Sequence, residues 1–334
     1  MRASKKVLVT GGAGYIGSHV CKALDQNGHI PISFDNLSTG YKDFVKWGPL
    51  FEGDITNPDD LDKAFQIYKP DFVMHFAASS YVRESVIDPM KYYTNNCIGS
   101  LRLLESMKRH KVDKIVFSST CAVYGDCQNL PIEENASQKP TSPYGKSKQF
   151  VEMALQDLSV TSGLKWVALR YFNAAGADPK GEIGENHNPE THIIPLSIQA
   201  ALGLGPALEV FGQNFNTPDG TAIRDYIHVN DLAVAHLNAM TYLDKGGQSG
   251  AYNLGTGTGT SVAQILKAVE KYVGCEVPHS FVAQIPGDVP ALYASSVRAR
   301  KDLNWSPCYS SLDQIIETAL NWHKKAGTHR PDIY

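Results

Sequence analysis

The sequence predicts an α/β fold: a doubly wound parallel sheet with a smaller C-terminal α/β lobe. Three observations carry this. Short apolar runs alternate with helical stretches through the first half, those runs are apolar on both faces, and the alternation breaks after residue 175. Strands apolar on both sides are covered on both sides, and β–α alternation implies parallel neighbours. Right-handed crossovers then wind the sheet in both directions and leave ligands at the carboxyl ends of the strands. A chain of 334 residues suits one large α/β domain or two linked ones. We place the sheet domain at 1–180, with a return at about 226–257, and the lobe at 181–334, mainly 181–225 and 258–334.

Taken in order, KKVLVT, HIPISFD, PLFEGD, DFVMHFA, DKIVFSS and LKWVALRYF read as strands, rich in β-branched and aromatic residues. Stretches such as SHVCKALDQNG and YTNNCIGSLRLLESMKRHK read as the helices between them. Beyond residue 175, GADPKGEIGENHNPETH reads as a long loop, IIPLSIQAALG as a helix and ALEVFG as a strand. The run DYIHVNDLAVAHLNAMTYL reads as a strand and a helix with Asn230 as its N-cap. AYNLG is a further strand, and SVAQILKAVEKYVG to LDQIIETALNWHKK completes the lobe.

Hydrophobic residues at 43% and charged residues at 19% describe an ordinary globular protein. A net charge of −3 without a basic block gives no nucleic-acid surface. The six cysteines (21, 97, 121, 127, 275 and 308) contain no C-x-x-C pair, which disfavours zinc, and they read as thiols of a reducing compartment. No metal is expected. MRASKKVLVTGGAG runs from basic residues straight into a short strand, and no apolar run approaches ~18 residues. A soluble cytoplasmic protein is expected, with no membrane partner.

VLVTGGAGYIGSH follows a strand and opens a helix. It satisfies G-x-G-x-x-G through Gly12, Gly14 and Gly17, and the spacing G-x-x-G-x-x-G through Gly11, Gly14 and Gly17. Glycine permits a tight turn and lets the backbone approach a pyrophosphate, which meets the positive end of the helix. Such a turn alone also serves simply to pack a strand on a helix. Here Asp35, 18 residues after Gly17, ends the next strand. A carboxylate there binds both adenosine ribose hydroxyls and repels a 2′-phosphate, so NAD is favoured over NADP. Asp54 in GDI ends the third strand and is a candidate for holding the adenine, although it is also an ordinary turn residue.

In SPYGKSK, Ser142 is placed to cap a helix and Pro143 to open it. Tyr144 and Lys148 then stand at i and i+4 on one face. An ammonium and a helix N-terminus both favour phenolate over phenol. Lowering a tyrosine pKa by roughly 3 units needs about 4 kcal/mol, and yields a base usable near neutral pH. Tyr and Lys at this spacing occur by chance on many helices. The pair gains meaning from the glycine turn, the acidic second strand, and the hydroxyl-rich strand end Ser118, Ser119 and Thr120.

Together these motifs resemble the UDP-glucose 4-epimerase family within the extended short-chain dehydrogenase/reductases, from about residue 5 to residue 325. Besides TGGAGYIGSH, the resemblance rests on FDNLSTG, EGDI, HFAA, SPYGKSK, LRYFNAAGA, PETHIIP, PDGTAIRDYIHVNDLA and YNLGTG. It implies a Rossmann-type sheet, tightly bound NAD and a UDP-sugar substrate. Tyr144 would exchange a proton with the sugar 4-hydroxyl, Lys148 would bind the nicotinamide ribose and lower the tyrosine pKa, and Thr120 would assist. Cofactor contacts are implied for Gly11, Gly14, Tyr15, Ile16, Gly17, Asp35, Asn36, Thr39, Asp54, Ile55, Phe76, Ala77, Ala78, Asn95, Ser118, Tyr144, Lys148 and Tyr171. Substrate contacts are implied for Ser80, Thr120, Tyr144, Asn173, His192, Ile193, Phe211, Arg224 and Asp288, with Arg224 suited to a diphosphate. A homodimer through helices starting near residues 90 and 143 is implied as well.

Three positions depart from the family pattern. Ile285 stands where an arginine commonly binds diphosphate, Ser80 where some members carry lysine, and Ser295–Ser296 where an acidic stretch is usual. Arg83, where glycine is common, is a candidate replacement charge; a solvated helix-start residue is an equal reading. The expected reaction interconverts UDP-glucose and UDP-galactose through a transient 4-keto sugar. The alternative is 4-epimerisation of UDP-arabinose/xylose or a UDP-N-acetylhexosamine, with Leu292 at a position that sets pocket size. A dehydratase needs acids after the hydroxyl residue, and Cys121 and Ala122 stand there instead. A decarboxylase on the same scaffold and a non-catalytic NAD-binding regulator are the remaining rivals.

Overall fold

Each of the six apolar runs of the first half forms a strand in the computed structural model, which describes residues 4–285 and 288–329. The chain builds β1 (Lys6–Thr10), α1 (Tyr15–Gln26), β2 (Ile30–Asp35), β3 (Leu50–Glu52), α2 (Pro58–Tyr68) and β4 (Phe72–His75). It continues through α3 (Val82–Ile87), α4 (Pro89–Tyr92), a π-helical stretch at Tyr93–Ile98, α5 (Gly99–Arg109), β5 (Lys114–Ser118), α6 (Pro143–Ser162) and β6 (Lys165–Arg170). Then come β7 (Asn173–Ala175), α7 (Ile193–Ala201), β8 (Leu208–Phe211), β9 (Ile223–Arg224), β10 (Tyr226–His228), α8 (Val229–Asp244) and β11 (Gly250–Asn253). Last are β12 (Thr260–Ser261), α9 (Val262–Val273), β13 (His279–Val282), β14 (Ala291–Leu292), α10 (Val297–Leu303) and α11 (Leu312–His329).

The main sheet has seven parallel strands in the order β11-β6-β5-β4-β1-β2-β3. After β3 the chain crosses to β4 on the far side of β1, so the strand order reverses between β1 and β4. In open α/β sheets, ligands bind outside the carboxyl ends of the strands at such a switch point. Burial follows the two-residue period of a strand. Val7 and Val9 face one core with Met74, Val116 and Val167, packed under α1 and α8, while Leu8 faces the other with Val73, Ile115 and Phe117. Both faces are covered, which explains why the strands read as unbroken apolar runs.

The later segments form three small sheets, β10-β7, β12-β9-β14 and β13-β8. A third core joins α7, α9, α11 and β8 through Ile194, Ile198, Val210, Ile265, Val269 and Ile316. No strand or helix interrupts 176–192. One local expectation is corrected here. α8 begins at Val229, and its N-cap is His228, whose Nδ1 accepts from the Asn230 amide at 3.0 Å. Asn230 lies inside the first turn because β10 runs on to His228, leaving the imidazole at the capping position.

Among the described residues, no helix is long and apolar enough to cross a membrane.

Candidate active site

A cleft of about 640 Å³ opens over the carboxyl ends of the strands at the switch point. Its floor is the glycine turn between β1 and α1. Gly11 has φ +73°, a left-handed conformation, and a Cβ there would sit 2.7 Å from the Ala77 nitrogen. A Cβ on Gly17 would fall 2.1 Å from the Gly11 carbonyl oxygen. Both are therefore glycine for packing reasons as well as for ligand approach. Gly14 caps α1 without a side chain, so the first-turn amides are left to the cleft, a ready anion site.

Asp35 closes this turn. Its carboxylate accepts from the Ala13 amide at 3.0 Å and from the Leu37 amide at 2.9 Å. Burial raises its pKa, and the two amides work against that rise. The residue thus ties the end of β2 to the turn while lining the cleft. The lining includes the expected Gly11, Gly14, Tyr15, Ile16, Gly17, Asp35, Asn36, Thr39, Ile55, Phe76, Ala77, Ala78, Asn95, Ser118 and Tyr171. Asp54 stands outside the lining. Its carboxylate accepts from the Thr56 amide at 2.7 Å and from Asn36 Nδ2 at 2.9 Å, so it positions Asn36. Glycines that admit a pyrophosphate, bare helix amides and a carboxylate at the end of β2 fit an adenine dinucleotide.

The reactive groups come from β5 and α6. Ser142 caps α6 by accepting from the Gly145 amide at 3.1 Å, and Pro143 opens the helix. Tyr144 and Lys148 both line the cleft with Thr120, which follows β5. Lys148 is buried and donates to the Ser118 carbonyl oxygen at 2.9 Å, with its Nζ 5.9 Å from the Tyr144 ring centre. Here the outcome differs from the expected tuning. Burial pushes the Tyr144 phenol up to about 12, against the lowering effect of a hydrogen bond from Thr120. Burial likewise pulls the Lys148 ammonium down to about 7. Desolvation penalises both charged forms, and the lysine spends its hydrogen bond on the strand end, so the protein by itself does not make the tyrosine a base. A further positive charge in the cleft is needed.

Behind this group, Arg170 of β6 and Glu152 of α6 form a buried pair, with Nε donating to Oε1 at 2.9 Å and a second bond from Nη2 to Oε2. Arg170 Nη1 also donates to the Tyr124 hydroxyl at 2.6 Å. This bidentate lock holds α6, and with it Tyr144 and Lys148, against the sheet.

On the opposite wall stand Ser80, Asn173, His192, Arg224 and Leu292. Arg224 donates to the carbonyl oxygens of Ile223 at 2.8 Å and Val289 at 3.0 Å, and burial lowers its pKa. It is a part-desolvated guanidinium held by carbonyls, suited to an incoming anion. Ile193, Phe211 and Asp288 stand outside the lining. Ile193 packs into the α7–α9–α11 core, the Phe211 ring lies 4.6 Å beneath the exposed Arg83 guanidinium, and the Asp288 amide donates to the Ile285 carbonyl at 3.1 Å. Sequence reasoning missed Glu185, Asn186 and His187, which line the same cleft. Their signal was the E-x-H-x-x-E-x-H spacing inside GENHNPETH, passed over as loop.

Residues 7–255 match the NAD dependent epimerase/dehydratase family. The chain is 50% identical to a UDP-glucose 4-epimerase of Rhizobium leguminosarum bv. trifolii, covering 98% of this chain and 100% of that one. It is 49% identical to a UDP-glucose 4-epimerase of Rhizobium meliloti (strain 1021), covering 96% and 98%. The crystal structure of UDP-glucose 4-epimerase from Brucella ovis in complex with NAD superposes with a TM-score of 0.94 at 49% identity, covering 95% of this chain and 98% of that one.

Proposed function

The chain belongs to the NAD dependent epimerase/dehydratase family and is an NAD-dependent UDP-sugar 4-epimerase; from that premise we propose that it interconverts UDP-glucose and UDP-galactose, with Tyr144 as the proton-transfer residue. The observation that carries the reading is the convergence of Thr120, Tyr144 and Lys148 in one cleft with the glycine turn and Asp35. When bound, NAD would supply the hydride chemistry, accepting hydride from C4 of the sugar and giving it back to the opposite face, and its cationic nicotinamide would add positive charge to the cleft. Gly11, Gly14 and Gly17 receive the pyrophosphate, Asp35 the adenosine ribose, and Lys148 the nicotinamide ribose.

Tyr144 accepts the 4-hydroxyl proton while Thr120 donates to its phenolic oxygen, and it gives the proton back when the 4-keto sugar is reduced. A base that must return its proton works best with a pKa near ambient pH. The value of about 12 in the protein alone is therefore the starting point from which added cationic charge lowers it. Arg224 neutralises the diphosphate, and Asn173, whose Nδ2 donates to the Asp225 carbonyl at 2.9 Å, is held at the sugar side. Dehydration is disfavoured, since buried Cys121 and then Ala122 of the cleft lining follow Thr120 where acids would be needed.

The decisive experiment incubates purified protein with UDP-glucose, UDP-galactose, their N-acetyl forms and UDP-arabinose, without added NAD, and resolves the epimers. UDP-glucose and UDP-galactose should equilibrate; no interconversion of any pair would sink the reading. Preference for UDP-arabinose would move the substrate to a pentose, the second reading; Leu292 in the lining leaves room for larger substituents and does not decide between them.

We also place the protein in the cytoplasm as a homodimer. Val86, Ile87, Met90, Ile98, Phe150 and Met153, on α3 to α6 and the π-helical stretch, are exposed apolar side chains. Light scattering should find the wild type dimeric and Ile87→Asp shifted to monomer; a monomeric wild type, or a variant that stays dimeric, would overturn this interface.

A further inference from the structure

The loop between β7 and α7 folds four side chains, Glu185, His187, Glu190 and His192, into one cluster at the edge of the cleft, with a donor atom from each within 4.8 Å of the others. His192 Nδ1 lies 2.8 Å from Glu185 Oε1 and 3.1 Å from Glu190 Oε1, while His187 Nδ1 lies 3.3 Å from Glu185 Oε1 and 3.6 Å from Glu190 Oε2. The two carboxylates are buried, with side-chain exposures of 5% and 7%.

These distances are those of ion pairs, and of the four contacts the one between His192 Nδ1 and Glu190 Oε1 also has hydrogen-bond geometry. Glu185 Oε1 and His187 Nδ1 are buried and have no hydrogen-bond partner, although each has a nitrogen or oxygen of the other within reach. Two buried ligand-type atoms that face each other without a hydrogen bond are placed to share a common partner. Ligand atoms about 2.0–2.2 Å from a tetrahedral metal stand roughly 3.3–3.6 Å apart; His187 Nδ1 meets this at 3.3 Å from Glu185 Oε1 and 3.6 Å from Glu190 Oε2, while His192 Nδ1 stands closer, 2.8 Å from Glu185 Oε1.

We propose that Glu185, His187, Glu190 and His192 form a site for a divalent transition metal of the zinc type. Two imidazole nitrogens and two carboxylate oxygens are a zinc donor set, and four protein ligands make a closed, structural site rather than one with an open catalytic position. The surroundings orient the ligands. The amides of Thr191 and His192 donate to Glu190 Oε1 at 2.8 and 2.9 Å, which leaves Oε2 for the metal. The Tyr15 and Tyr81 rings stand edge-on to His187 at 6.2 and 6.0 Å, and the Tyr81 hydroxyl donates to the Pro189 carbonyl at 3.2 Å. Because Glu185, His187 and His192 also line the cleft, the metal would pin this loop as a fixed wall beside the glycine turn. The thiol pattern could not disclose such a site, since no cysteine takes part.

The competing arrangement is a metal-free cluster of two imidazoliums and two carboxylates, and metal analysis separates the two. Purified protein is stripped with a chelator, desalted, and titrated with Co²⁺ and then Zn²⁺. The proposal expects intense visible absorption of tetrahedral Co²⁺, its displacement by Zn²⁺, and about one Zn²⁺ retained per chain by elemental analysis after desalting. His187→Gln and Glu185→Gln should each weaken Zn²⁺ binding by more than about 100-fold, beyond the loss typical of an outer-shell partner. Circular dichroism checks that the variants fold. Pale octahedral Co²⁺ with no retained zinc in the wild type would overturn the site, as would a folded variant that binds as tightly as the wild type. Should both variants unfold, the wild-type cobalt spectrum decides alone.

Discussion

The two walls of the cleft are made by different means. The cofactor wall rests on backbone: the turn at Gly11 to Gly17 and the strand end Phe76–Ala78, both at the carboxyl ends of one seven-stranded sheet, with the Tyr144 and Lys148 side chains added from the start of α6. The nucleotide wall is side chains carried on short pieces: Arg224 from the two-residue β9, Leu292 from β14, and His192 just ahead of α7. A wall of backbone is pre-formed by the sheet and tolerates little change in size. A wall of side chains leaves specificity to a few residues that single substitutions can retune without disturbing the core.

The comparison breaks most sharply at Tyr144. Tyr144→Phe removes the proton carrier from the rigid wall, and kcat should fall by about 10²–10⁴-fold while NAD, released by denaturation and measured, stays at wild-type content. Equal loss of cofactor would show instead that the change had disturbed the turn.

Lys148 offers the next largest effect, on stability. Its folded pKa of about 7 lies below the ordinary 10.5, so between those values the unfolded chain binds more protons and stability rises with pH. The penalty is full below pH 7 and fades as pH approaches 10.5. In cofactor-stripped protein, Lys148→Met should therefore be more stable than wild type at pH 6, by an amount on the order of a few kcal/mol. That gap should close by pH 10; thermal melts with a pH-independent gap would contradict the buried-charge account.

On the other wall, Arg224→Met should raise KM for the UDP-sugar by about 10–150-fold, corresponding to a charge-assisted contact of ~1.5–3 kcal/mol, with kcat far less changed. If kcat fell as much as kcat/KM, the arginine would act in the transition state and the division between walls would fail. Arg83→Gly should have the smallest effect. Its guanidinium lies 4.6 Å over the Phe211 ring at an exposed position outside the cleft lining; an exposed charge pair contributes ~0.2–1 kcal/mol, so a rise in KM of at most about 5-fold is expected. An unchanged KM would remove Arg83 from the site and leave Ile285 without a compensating charge.

The cofactor wall was legible in the sequence because its requirements are local. A strand, a glycine turn, an acid at the next strand end and a capped Tyr–Lys helix each declare themselves within a few residues, and Ser142, Pro143 and Asp35 do what their residue types favour. The nucleotide wall was only partly legible. Phe211, Ile193 and Asp288 were carried to it by resemblance, yet here the ring supports Arg83, the isoleucine packs among helices and the aspartate stands outside the lining. Asn230 lost its expected cap to His228 for a similar reason, since the length of β10 decides which residue ends the strand.

By itself, then, the sequence determined the order of strands and helices, the glycine turn, and the spacing of Tyr144 and Lys148, because backbone propensity and side-chain period act over one or two turns. Only the tertiary structure decided that β11 joins the main sheet beside β6, that Lys148 bonds to Ser118 across 30 residues, and that Glu185 to His192 gather at the cleft. Those outcomes rest on burial. Desolvation, which moves Tyr144 and Lys148 in opposite directions from their ordinary pKa values, depends on what packs around a group and not on its neighbours in the chain.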